Sequence, residues 1–79
     1  MNKMTQHEMI LHYMRQYGSL TSLEAAHKLN ITKLTTRISE MRRHKGIEFV
    51  EVPEGDYNRY SLAQTETNNQ ILKDLGYIQ

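Results

Sequence analysis

The chain has 79 residues and a formal net charge of only +1, which allows one small domain with a thin core. It has no cysteine, which excludes a disulfide framework, a thiolate nucleophile and a cysteine-based zinc site. No apolar run is long enough for a signal peptide or a membrane span, so the expectation is a cytoplasmic protein with no membrane partner.

The first predicted element is a helix over residues 5–17. In QHEMILHYMRQYGS, Ile10, Met14 and Tyr17 fall at i, i+4 and i+7, and Leu11 and Tyr13 widen the apolar face. Thr5 with Glu8 has capping-box spacing, and Gly18 stands just past the end. Ser19-Leu20 leaves room for a very short strand. In TSLEAAHKLN, Thr21 and Glu24 repeat the capping box, while Leu23, Ala26 and Leu29 make a short apolar face. Asn30 tolerates the left-handed conformation that ends a helix. Ile31 is followed at once by Thr32, a fresh N-cap, so only roughly three residues separate this helix from the next, which is helix-turn-helix spacing.

The third helix is predicted over 33–44, with Leu34, Ile38 and Met41 inward and Gly46 closing it. At about 100° per residue, the opposite face carries Thr32, Thr36, Ser39, Glu40 and Arg43. Lys33 and Arg37 flank one side of that face, Thr35 and Arg42 the other. Charge is concentrated here: Lys33, Arg37, Arg42, Arg43 and Lys45 against Glu40 leave residues 33–45 at +4. Such asymmetry in a nearly neutral chain says more about its partners than the total does.

After Gly46 the pattern becomes extended. IEFVEV (47–52) and RYSL (59–62) alternate and are rich in β-branched and aromatic residues, and PEGDYN between them is a turn cluster. The expectation is a β-hairpin with a loop of about five or six residues. In the tail, Ile71, Leu72 and Leu75 lie in helical register with Tyr77 and Ile78 behind, predicting a short helix over about 67–75. The chain divides into a domain of residues 1–62 and a tail of 63–79.

The segments ILHYM and YGSLTSLEA, followed by LNITKLTTRISEMR and KGI, resemble the small winged helix-turn-helix domains common in bacteriophages and prophages. The likeness covers about residues 6–62 and is most specific across TSLEAAHKLNITKLTTRISEMRR. It implies an α+β fold of three helices plus a hairpin wing, here with a short C-terminal helix, and double-stranded DNA as the partner.

In a helix-turn-helix the second helix of the pair enters the major groove. Thr32, Lys33, Thr35 and Thr36 then form its first turn, where N–H groups and the helix dipole favour a phosphate. Arg37, Ser39, Glu40 and Arg43 lie further along. Arginine can read guanine, threonine can touch a thymine methyl, and glutamate can accept from cytosine N4. Thr21 and Ser22 are candidates for phosphate contacts that fix register. The expected role is a sequence-specific transcriptional regulator or a recombination accessory factor.

The hairpin complicates this picture. Glu54 and Asp56 at its tip repel phosphate, and Glu48 and Glu51 add to the field; with Arg59 they leave residues 46–62 at −3. Either these acids keep an edge strand soluble, or the wing faces a protein partner and the domain binds and inhibits a host or phage protein. The tail offers a similar choice, packing on the first helix or joining a second copy in a homodimer. His7, His12, His27 and His44 lack metal-ligand spacing, and no phosphate loop, nucleophile–base pair or paired carboxylates are visible. No metal, cofactor or catalytic residue is expected.

Overall fold

Thr5 and Glu8 form both halves of a capping box ahead of α1 (Gln6–Tyr17) in the computed structural model, which describes residues 4–77. The Glu8 N–H donates to the Thr5 hydroxyl at 3.1 Å, and the Thr5 N–H donates to the Glu8 carboxylate at 3.0 Å. Thr21 and Glu24 repeat the arrangement at 3.1 and 3.0 Å ahead of α2 (Ser22–Lys28). Each box satisfies N–H groups that the first helical turn would otherwise leave unpaired. Between these helices lies β1 (Leu20–Thr21).

Asn30 has φ 57 and alone among the described non-glycine residues has a positive φ. The turn it makes brings the Ile31 N–H back to the Ala25 carbonyl at 2.9 Å and buries the Ile31 side chain. The chain then enters α3 (Leu34–Lys45) with Lys33, not Thr32, at the N-cap position and no side-chain cap. Thr32 stands one residue too early for that role. Lys33 has no hydroxyl to offer, so the first turn of α3 keeps its N–H groups free of any capping side chain. Gly46, at φ 70, closes the helix and sends its N–H to the Met41 carbonyl.

Two apolar faces differ from expectation. Tyr17 is 64% exposed, because α1 has already cleared the core by its last turn. In α2 the inward residue is Ala25, with Leu29 half-buried, whereas Leu23 is exposed and Ala26 only half-buried. A seven-residue helix supplies too few positions for periodicity to fix its rotation. Here β1 fixes it, since Thr21 is both the last residue of the strand and the cap of the helix.

The sheet has the order β1-β3-β2 and is antiparallel throughout, with β2 at Phe49–Glu54 and β3 at Tyr57–Leu62. The hairpin loop is shorter than predicted. Glu54 pairs with Tyr57, leaving Gly55 and Asp56 as a two-residue turn. Gly55 has φ 61 and Asp56 does not share a positive φ, the pattern of a type II′ turn with glycine first. Pro53 therefore belongs to a strand. The Ala63 N–H donates to the Glu48 carbonyl, and ladder alternation then places Pro53 and Asn58 in a pair that exchanges no ladder bonds. The N–H that proline lacks would have faced the open edge, so the ladder loses nothing.

The core takes Ile10, Leu11 and Met14 from α1, Leu34, Ile38 and Met41 from α3, and Leu20 and Tyr60 from the sheet. It is closed by α4 (Glu66–Asp74), capped by the Thr65 hydroxyl. Leu72 is buried, Ile71 and Tyr77 pack against the core, and the Tyr77 ring meets His12 edge-on at 5.1 Å. The tail thus uses these apolar residues within its own chain; Leu75 is exposed, and Ile78 lies outside the described residues. Three helices, a hairpin wing and a short C-terminal helix make the α+β fold that the resemblance implies. Among the described residues no helix is long and apolar enough to cross a membrane.

Candidate nucleic-acid interface

Burial of Leu34, Ile38 and Met41 turns the other side of α3 outward. Thr35, Thr36, Ser39 and Arg43 are all exposed there, preceded by exposed Thr32 and Lys33. A shallow depression runs along this face between Thr35, Thr36, Ser39, Glu40, Arg43 and His44. Its residues are small and polar at the N-terminal end, where the uncapped N–H groups lie, and basic at the C-terminal end, where Arg42, Arg43, His44 and Lys45 form the last turn. Cations at that end also complement the helix dipole.

Arg37 and Glu40 sit differently from the rest of the face. Both are half-buried toward α1. Arg37 Nη1 donates to both Glu40 oxygens, at 2.7 and 2.9 Å, and His7 Nε2 of α1 donates to the same carboxylate at 2.8 Å. The hydrogen bond from His7, then that from Arg37, hold the Glu40 carboxyl below the usual carboxylate range. Arg37 Nε is buried without a partner. This trio anchors α3 to α1 more directly than it presents groups to a duplex. Thr21 is buried with its hydroxyl engaged by the Glu24 N–H, leaving it little reach toward a phosphate, and Ser22 is half-buried.

Two arginines outside the expected set shape the wing. Arg42 reaches from α3 to β2, with Nη2 at 3.4 Å from the Phe49 carbonyl and 3.8 Å from Glu51, and its guanidinium 5.9 Å above the Phe49 ring. Arg59 grips Glu54 with two bonds of 3.0 and 2.7 Å and reaches back to the Ser19 hydroxyl at 2.8 Å and Glu24 at 3.3 Å. The bond from Arg59 lowers the Glu54 pKa, and the same bond raises that of Arg59. Asn58 donates to Glu51 at 2.6 Å.

The wing is therefore less acidic to a visitor than its formula suggests. Glu51 and Glu54 are paired, whereas Glu48 and Asp56 form no ion pair among the described residues. The same holds for α3, where Arg37 and Arg42 are paired, while Lys33, Arg43 and Lys45 form no ion pair among the described residues. A signal for the wing pairs existed. Glu54 opposite Tyr57 makes Arg59 its diagonal neighbour, and Glu51 opposite Tyr60 makes Asn58 its own. Finding them required the two-residue turn. The Arg59–Glu24 contact joins distant segments and has no local signature.

Among the described residues no cluster of histidine and acidic groups could hold a metal ion. A family model described as a winged helix-turn-helix domain matches residues 5–65. No curated protein matches the chain, and no solved structure does.

Proposed function

The chain belongs to the winged helix-turn-helix domain family, and from that premise we propose that it is a sequence-specific double-stranded DNA-binding protein that lays α3 in the major groove. The observation that carries this reading is the exposed face of α3, with small hydroxyls at its uncapped first turn and, around them, cations that form no ion pair among the described residues. Thr32, Thr35 and Thr36 are small enough to let the helix approach base edges, and their methyl groups suit thymine. Lys33 and the free N–H groups suit a phosphate at the helix start. Arg43, exposed and without an ion pair among the described residues, is the side chain of this face best able to take a guanine edge or a phosphate.

The finer assignment is a transcriptional regulator or an accessory factor in recombination, of the kind found in phages and prophages and acting in the host cytoplasm. In this reading residues 1–62 are the DNA-binding unit, and α4 of the 63–79 tail braces it through Leu72, Ile71 and Tyr77. Selection of bound sequences from a random duplex pool tests the reading. An enriched motif supports it and supplies the site, whereas recovery of the input pool unchanged overturns sequence specificity.

A second reading rests on the outer face of the hairpin. Val50, Val52 and Tyr57 share that face by their register and are 44%, 52% and 45% exposed. A protein partner would bury them; a duplex lying against α3 would not. A chain that binds no duplex at low salt would favour this alternative.

A further inference from the structure

Arg42 leaves the basic face of α3 for the hairpin, where it lies by the Phe49 carbonyl and ring and the ion pair it makes with Glu51 is loose. Its Nη2 is 3.8 Å from Glu51, with the two side chains 40% and 39% exposed. A solvent-screened pair of this kind holds weakly. The carboxylate side is fixed more firmly, because Asn58 donates to Glu51 at 2.6 Å across the ladder. The arginine side is a flexible stem rooted beside Arg43 and one turn from Ser39, at the border of the exposed face of α3. Rotation about its own side-chain bonds carries the guanidinium from the strand edge toward that border without moving the backbone.

We propose that Glu51 parks Arg42 on the wing and so withholds one phosphate contact from the DNA face, restraining non-specific duplex binding. This rests on the DNA-binding reading and adds to it a latent phosphate ligand, Arg42, and a residue that restrains it, Glu51. A duplex bound without sequence readout depends largely on its phosphate contacts. Withholding one such contact lowers affinity by about the same factor on every sequence, which keeps non-specific binding weak while Thr35, Thr36 and Arg43 supply the contacts to base edges. Parking also leaves Arg42 over the Phe49 carbonyl, where it covers part of the open edge of β2.

The test uses the full chain and a labelled duplex of mixed sequence, titrated between about 50 and 200 mM salt. Glu51→Gln keeps the amide acceptor for Asn58 and frees Arg42. The slope of log K against log salt should steepen by about 0.9, so that a fourfold dilution of salt favours the variant by a further ~3.5-fold. Arg42→Ala alone should leave the wild-type slope unchanged, and in the double variant the gain of Glu51→Gln should vanish. Glu48→Gln removes the same charge without freeing an arginine and should leave the slope unchanged.

A gain that persists without Arg42, or one that Glu48→Gln reproduces, would show a general field effect and overturn the proposal. A slope that already falls in Arg42→Ala alone would also overturn it, because Arg42 would then be on phosphate from the start. A wild-type chain that binds no duplex at any salt overturns the DNA-binding reading itself, and this inference with it.

Discussion

Asn68 of α4 holds both backbone groups of Glu48 at the base of the wing: its side-chain amide donates to the Glu48 carbonyl at 2.6 Å, and its side-chain oxygen accepts the Glu48 N–H at 2.7 Å. A third bond, at 2.8 Å, runs from the same amide to the Ala63 carbonyl at the end of β3. Asn68 is 1% exposed, so no water replaces these partners if it is lost. The Glu48 carbonyl keeps the Ala63 N–H, so Asn68→Ala should cost about 1–3 kcal/mol, the penalty for taking the partner from the part-buried Glu48 N–H and Ala63 carbonyl. Asn68→Asp should be no better, because a carboxylate would face two carbonyl oxygens. Urea unfolding checks both; an aspartate variant as stable as wild type would mean that the amide bonds contribute little.

What was legible in the sequence was local. The two capping boxes need only a hydroxyl and a carboxylate three residues apart, and the Leu34, Ile38, Met41 stripe repeats over a twelve-residue helix. The hairpin existed in the alternation of its strands, but Pro53 read as a turn residue because its tolerance at an open edge depends on which pair it joins. Nothing local distinguishes Asn68 from its neighbour Asn69; only the docking of α4 against Glu48 and Ala63 buries it. The +4 of α3 was readable as a sum, and the i,i+3 spacing of Arg37 and Glu40 is a local signal for their pair. The contacts of Glu40 with His7 and of Arg42 with Glu51 come from tertiary geometry alone.

The α3 stripe supports a direct stability test. Ile38 is 1% exposed within a core drawn from every helix and the sheet. Ile38→Ala should cost about 2–5 kcal/mol, a large share of the roughly 5–15 kcal/mol that small domains possess. Chemical denaturation would show a lower midpoint at unchanged slope. A cost below about 0.5 kcal/mol, typical of surface changes, would contradict this packing.

Stability should also fall in acid, through identified carboxylates. Glu8, Glu40 and Glu54 all have pKa values lowered from 4.5, by the Thr5 backbone N–H, by His7 and by Arg59 respectively. The folded chain therefore binds fewer protons than the unfolded chain in this range, so stability rises with pH there. The contribution is complete above the ordinary value and is lost as pH falls through each depressed one. Glu40→Gln should flatten the dependence of melting temperature on pH below about 5. Parallel curves for variant and wild type would rule out a contribution from Glu40.

The reading face of α3 can be located by setting Arg43 against Arg37. Arg43 is exposed and forms no ion pair among the described residues, so its replacement breaks no ion pair among them. Arg43→Ala should leave the melting temperature unchanged while costing about 1–3 kcal/mol of binding to the selected site if it reads a base. If it holds a phosphate instead, binding should weaken on all sequences and the salt slope should shrink by about 0.9. Arg37 spends its charge on Glu40, which His7 ties to α1. Arg37→Ala should therefore lower the melting temperature and change the salt slope little. Fluorescence anisotropy and thermal melting of the two single variants separate these roles. The reverse result, with Arg37 dominating binding and Arg43 silent, would mean that α3 meets the duplex with its α1-facing flank rather than the face lined by Thr36, Ser39 and Arg43.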